Sequence, residues 1–333
     1  MTWPTSSGVL ELGDLALGRG GGIRDARLSW RAHGTLAPAR DNVVLYPTSY
    51  SAQHPDLEWL IGPDGVLDPT NWFIVIPDMF GNGLSSSPSN RADYPALVTA
   101  HDNVRAQARL LREVWGVERL HAVYGWSMGA QQAYHWAALY PGDVERIVVN
   151  CGSARTATHN RVFLAALMAT LEAAPEYDGH GGFSAEPAAA LRAFARIYAT
   201  MALSQDFYRE DLHLTALGAP DLETFLQRDW EDRYRRRRAA DLLAQLRTWD
   251  AGDISDGGDL AAALRKIEAR VLLMPGETDQ YFRVEDNARE LPHLRHGTLA
   301  PIPGIWGHRA GNPVQNPADA AFIRKEVRAF LDK

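Results

Sequence analysis

Between an apolar run at residues 120–124 and an alanine-rich run at residues 130–138 lie Gly125, Trp126, Ser127, Met128 and Gly129. The first run has the β-branched and aromatic character of a buried strand and the second the composition of a helix, so the five residues between them turn a strand into a helix. A turn that tight leaves no space for a Cβ on either flank, which is why both flanking positions are glycine. Ser127 is then held at a strained, exposed apex at the head of a helix. A G-x-S-x-G sequence in this setting reads as a nucleophile elbow, and it constrains the rest of the chain: the turn requires a sheet whose strands end on a common side, with helices against its faces.

The remaining sequence supplies such a sheet. Short apolar runs recur at residues 43–46, 72–76, 120–124, 147–149 and 271–274, several followed by helical patterns such as 100–115. Alternation of this kind predicts a mostly parallel sheet covered on both faces. Ahead of it, residues 8–17 and 23–32 read as two strands joined by the glycine-rich segment 18–22, an antiparallel hairpin. The alternation stops between about residues 160 and 262, where segments 161–173, 186–201, 221–227 and 230–247 carry helical periodicity and a glycine-rich loop spans 177–183. The expected organisation is therefore an α/β core of residues 1–159 and 263–333 with a helical lid, residues 160–262, inserted into it, and a last helix over 317–331.

A chain of 333 residues that is 46% hydrophobic has ample material for one core with an insertion. Its net charge of -7 argues against a nucleic-acid partner, which needs a basic face. Cys151 is the single cysteine, so no intrachain disulfide can form, and it reads as a small buried hydrophobe. The first residues lack the basic and apolar regions of a signal peptide, and no uninterrupted apolar stretch approaches about 18 residues, so no membrane association and a cytoplasmic location are expected. The basic run Arg233, Arg235, Arg236, Arg237 and Arg238 lies among Glu231, Asp232 and Asp241 and reads as a solvated helix face. No metal or cofactor is expected: there is no H-E-x-x-H, His293 and His296 lack a companion carboxylate set, and the glycine and serine-rich loop 77–88 has neither a P-loop ending nor G-x-G-x-x-G spacing.

A serine hydroxyl is a poor nucleophile at neutral pH and needs a histidine to take its proton, with a carboxylate to fix the tautomer of that histidine. Following the elbow the expected chain order is serine, acid, histidine. The strand at 271–274 runs into a loop that carries Asp279, the preferred acid; Glu277 shares the loop and is the alternative, and Asp286 falls inside the following helix. Residues 298–303 read as the final strand, and the glycine-bearing loop after it carries His308, the expected base. Two backbone amides must face the oxyanion, for which Met128 and Tyr50, the latter on the loop after the strand at 43–46, are the candidates. The aromatic side chains of Tyr50, Trp126 and Trp306 suggest a snug apolar pocket for a small acyl group.

The segment from Gly125 to Ala137, the loop at 81–88, the stretch 102–107 and the terminal Gly307 and His308 together resemble the homoserine O-acetyltransferase family of α/β-hydrolases over nearly the whole chain. The resemblance implies an α/β-hydrolase fold with a Ser127, Asp279, His308 triad under a helical lid. That family holds both acyl-CoA-dependent transferases and esterases. Its transferases carry two glycines before the serine, where this chain has Trp126, and His-Ala-Leu-Thr-Gly in the oxyanion loop, where it has residues 48–52. They also carry, straight after the catalytic histidine, an aspartate that holds the substrate's amino group. Here that position is Arg309, a like charge to homoserine's ammonium. The expected function is a serine hydrolase of short-chain esters acting through an acyl-enzyme on a small-molecule ester. Acyl transfer to a hydroxyl acceptor and a non-catalytic receptor are the alternatives, and a homodimer is possible in any of these readings.

Overall fold

The computed structural model describes residues 2–332. The N-terminal hairpin consists of β1 (Thr5–Ala16) and β2 (Gly22–His33), paired antiparallel with irregularities on either side of Gly13. Residues 5–7 extend it beyond the expected start. Six further strands follow: β3 (Val43–Leu45), β4 (Phe73–Pro77), β5 (Ala122–Trp126), β6 (Arg146–Asn150), β7 (Arg270–Met274) and β8 (Gly297–Leu299). All eight form one sheet in the order β1-β2-β4-β3-β5-β6-β7-β8. β2 meets β4 antiparallel and every later pairing is parallel. The expected mostly parallel sheet with an N-terminal hairpin is present.

Period-2 alternation along the strands sorts their side chains onto two faces. Val44, Ile74, Ile76, Tyr124, Val148 and Leu272 belong to one buried cluster, with the C-terminal helix and most of the inserted helices. Val43, Leu45, Val75, Val123, Ile147, Val149, Val271 and Leu273 belong to the other, with the helices that follow β4 and β5. These are α1 (Ala100–Trp115) and α2 (Met128–Leu139). α1 has the bounds read from sequence because both ends are written locally. Thr99 accepts the Asp102 amide while Asp102 accepts the Thr99 amide, and Gly116 closes the helix in the left-handed region at φ 62°.

Between β6 and β7 run α3 (Thr158–Glu172), α4 (Ala188–Ala202), α5 (Gln205–Arg209), α6 (Leu212–Thr215), α7 (Leu222–Phe225), a π-helical segment (Leu226–Glu231), α8 (Asp232–Arg235), α9 (Ala239–Asp250) and α10 (Leu260–Arg265). Among the described residues, strand-like pairing in this stretch is limited to the isolated bridges Arg155↔Asp253 and Tyr177↔Phe183. After β7 come α11 (Val284–Glu290) and α12 (Pro317–Leu331). Among the described residues, no helix is long and apolar enough to cross a membrane.

Two expectations need correcting. The helix read over 230–247 is broken at residues 236–238, because Arg238 adopts an extended conformation and pairs with Glu186 at 2.8 Å while the same carboxylate caps the Ala239 amide. The final strand stops at Leu299 instead of reaching 303. Pro301 and Pro303 cannot donate to a ladder, and only the Gly276↔Ile302 bridge continues the pairing.

Candidate active site

The β5 to α2 turn has the expected geometry for a steric reason that can be measured. A Cβ on Gly125 would lie 2.2 Å from the Gly129 carbonyl oxygen, and one on Gly129 would lie 2.6 Å from that of Pro47. Ser127 sits at φ 60° and ψ -126°, outside the regions a serine ordinarily adopts, and its amide donates to the Asn150 carbonyl at 2.9 Å. Its hydroxyl makes no capping bond to α2. The strained backbone is thus held by the neighbouring strand and the side chain stays uncommitted.

Asp279 lies on the loop after β7, 2% exposed. One carboxylate oxygen accepts the amides of Tyr281 at 3.0 Å and Phe282 at 3.1 Å. The other accepts His308 Nδ1–H at 2.7 Å. His308 belongs to a single 3-10 turn (Gly307–Gly311), which can approach so closely because Gly307 takes φ 60° and a Cβ there would lie 2.8 Å from the Ser204 amide nitrogen. Its imidazole is boxed by Tyr281, Trp126 and Phe282, with centroid separations of 4.4, 5.1 and 5.4 Å. With Nδ1 on the carboxylate, Nε2 is left without a hydrogen-bond partner among the described residues. It lines the same cavity as Ser127.

The two other carboxylates weighed from sequence are elsewhere. Glu277 is exposed to solvent. Asp286 lies on α11, lining a separate groove with Glu290 and His293.

The loop carrying Tyr50 is tied down from two sides. Buried Asp78 accepts both the His54 amide, at 2.9 Å, and His54 Nδ1–H, at 2.7 Å. Gln245 of α9 accepts the Ser51 amide at 2.7 Å, and Arg237, just ahead of α9, donates to the Ser51 carbonyl at 2.7 Å. Among the described residues, neither the Tyr50 nor the Met128 amide donates to another protein group. Two free amides on a rigid loop and at a helix head are what an oxyanion would require.

Ser127 and His308 open into a cavity of about 60 Å³ whose walls include Tyr50, Trp126, Tyr198, Trp230, Tyr234 and Tyr281. Arg309 and Arg233 also line it. Burial, and then the charge of Arg233, bring Arg309 down to about 10, which leaves it cationic at neutral pH. Trp306 does not reach the cavity: it packs edge-on against Phe207 at 5.1 Å and serves the interior. The basic run forms the expected solvated face only in part, through the exposed Arg235, Arg236 and Arg238. Arg235 and Arg238 pair with Asp232 and Glu186, and Arg237 pairs with Asp56, but Arg233 turns to the cavity.

Cys151 is buried beneath this group, and its sulfur, a carboxylate oxygen of Asp279 and a ring nitrogen of His308 lie within 4.8 Å of one another. Burial pushes the thiol well above its ordinary range, so it stays protonated, and Asp279 and His308 are already bonded to each other. That donor set fits a hydrogen-bonded relay better than a cation.

Sequence reasoning missed Tyr281, although it stands two positions after Asp279 and an aromatic there was available as a signal. Tyr198, Trp230, Arg233 and Tyr234 come from the inserted helices, and nothing in their local sequence distinguishes them from packing residues.

The model of the alpha/beta hydrolase fold family matches residues 64–303. A probable esterase of Corynebacterium glutamicum is 37% identical over 309 residues, 90% of this chain and 88% of that protein. An ethyl acetate hydrolase of Pseudomonas veronii is 34% identical over the same shares. The crystal structure of an acetylester hydrolase from Corynebacterium glutamicum superposes with a TM-score of 0.92 at 34% identity, covering 99% of this chain and 96% of that one. A homoserine O-acetyltransferase of Leifsonia xyli, from the family the sequence resembles, is 27% identical over 80% of this chain and 75% of its own.

Proposed function

The chain belongs to the alpha/beta hydrolase fold family, and on that premise we propose that it is a serine esterase that cleaves short-chain carboxylic esters through an acyl-enzyme. The observation that carries the reading is the union, at one small cavity, of a strained and uncommitted Ser127 with a His308 whose second nitrogen is held by Asp279.

In this reading His308 Nε2 takes the Ser127 proton as Oγ attacks the ester carbonyl, and Asp279 steadies the imidazolium that forms. The amides of Met128 and Tyr50 receive the oxyanion. His308 returns the proton to the departing alcohol, then activates water against the acyl-enzyme, and the cycle closes. A cavity of about 60 Å³ walled by tyrosine and tryptophan suits an acetyl or similarly small acyl group. The curated esterases among the relatives, one of them an ethyl acetate hydrolase, support the same substrate class.

Acyl transfer from an acyl-CoA would use the same three residues and differ only in what attacks the acyl-enzyme. Arg309 favours hydrolysis over transfer to homoserine, because a guanidinium at the cavity wall repels an ammonium. The deciding experiment supplies ethyl acetate alone, and separately acetyl-CoA with homoserine, following free acetate and O-acetylhomoserine by mass spectrometry against Ser127→Ala. Serine-dependent acetate release without acetylhomoserine supports the esterase. Acetylhomoserine formation overturns it, and a protein whose serine neither turns over an ester nor reacts with a fluorophosphonate is a receptor.

A further inference from the structure

We propose that Arg309 and Arg233 form an anion-binding subsite beside the nucleophile, and that the esters this protein cleaves carry a carboxylate. The proposal rests on the esterase reading and narrows its substrate class.

The two guanidiniums reach the cavity from unconnected parts of the fold. Arg309 follows His308 in the turn after β8, whereas Arg233 descends from α8 in the inserted helices. Both line the space that Ser127 opens into. Each is partly buried, and among the described residues neither forms an ion pair or a side-chain hydrogen bond. The nearby acids are paired with other arginines: Asp229, whose charge also reaches Arg309, with Arg228 at 2.8 Å, Glu231 with Arg196 at 2.7 Å and Asp232 with Arg235 at 3.0 Å.

This arrangement is unfavourable by itself. Two like charges line one cavity among tyrosine, tryptophan, serine, asparagine and aliphatic side chains, in a chain whose net charge is -7. Burial, with the charge of Arg233 second, lowers Arg309 to about 10. A guanidinium presents a planar fork of donors that matches a carboxylate, and a partly buried pair left open beside the reacting atoms is completed when a ligand brings the anion. The limited volume places that anion within a bond or two of the ester. It can belong to the alcohol portion or to the acyl portion; the chemistry recognised is the same.

The test uses Ser127→Ala, which binds esters without consuming them, and two pairs of near-isosteres: acetoxyacetate with acetoxyacetamide, and monoethyl malonate with its amide. Binding is measured by calorimetry. The expected result is that in at least one pair the carboxylate binds at least about tenfold tighter than the amide, and that pair identifies the side of the ester that carries the charge. Adding Arg309→Gln or Arg233→Gln should bring the ratio toward one, while Arg309→Lys, which keeps the charge but loses the fork, should retain part of it. Melting temperatures and the retained binding of the neutral amides report that the variants are folded. Equal binding within both pairs, a ratio that survives both glutamine substitutions, or no detectable binding of either carboxylate overturns the proposal. Hydrolysis of ethyl acetate, acetoxyacetate and monoethyl malonate by the intact protein is scored separately: absence of all three removes the esterase reading, and a surviving carboxylate preference would then leave a binding site without that chemistry.

Discussion

Replacing Asp279 by asparagine should stop catalysis while leaving the fold almost intact. The aspartate accepts three hydrogens: from the amides of Tyr281 at 3.0 Å and Phe282 at 3.1 Å, and from His308 Nδ1 at 2.7 Å. Asparagine has one acceptor oxygen. If that oxygen stays with the two amides, the new NH₂ faces His308 Nδ1, which must become an acceptor, and the ring proton moves to Nε2. Nε2 is the atom proposed to take the proton of Ser127, so the base is lost although every heavy atom stays in place. A histidine trapped in the wrong tautomer lowers kcat by about four orders of magnitude, or about 5 kcal/mol of activation free energy. The stability change should be only about 1 kcal/mol, since a charge-assisted bond is exchanged for a neutral one. The assay is ethyl acetate hydrolysis in a pH-stat beside a urea melt, with Glu277→Gln as the parallel variant. Glu277 is exposed and should be replaceable with little change. Asp279→Asn retaining more than about a tenth of the activity, or Glu277→Gln losing as much, would refute the assignment of the acid.

Gly125→Ala should be destabilised by about 3 kcal/mol, because its Cβ would stand 2.2 Å from the Gly129 carbonyl oxygen and neither group is a flexible side chain. Gly142→Ala, with nothing within 4 Å of its Cβ, should have an unchanged urea midpoint, and equal midpoints for the two would dismiss the steric account of the elbow. Glu290 gives a prediction in pH. Burial pushes its carboxyl up from 4.5 to about 7, against the opposing donors of Ala154, Tyr134 and Asn287. Between those values the folded state binds the proton more tightly than the unfolded state, so this group's contribution is present at the acid end and is lost as pH rises through the window. The loss is of the order of 3 kcal/mol. Glu290→Gln should therefore flatten the fall in stability between pH 4.5 and about 7, and a slope identical to wild type would assign the effect to other groups.

Much of the backbone was legible because its signals are local. The caps Thr99 and Gly116 stand beside the helix they bound, and its limits agree with those read from the sequence. Strand positions followed from short apolar runs, although the ladder placed β5 at Ala122–Trp126, two residues later than the run suggested, because hydrogen-bond register with β6 continues to Trp126 and Asn150. The helix read over 230–247 failed because its break depends on Glu186, some fifty residues away, whose carboxylate both pairs with Arg238 and caps α9. A local pattern cannot contain that information.

The same division runs through the candidate site. By itself the sequence determined that Ser127 occupies a strand-to-helix turn flanked by obligatory glycines, and that Asp279 and His308 follow β7 and β8 on successive loops, since chain order and strand ends follow from periodicity and turn chemistry. Only the tertiary structure decided which carboxylate meets His308, that Trp306 packs inward onto Phe207, and that Arg233 joins Arg309 at the cavity wall while the other paired arginines of its run face acids. Those outcomes depend on where side chains distant in sequence meet, which is set by the packing of the inserted helices over the sheet and has no counterpart in the spacing of neighbouring residues.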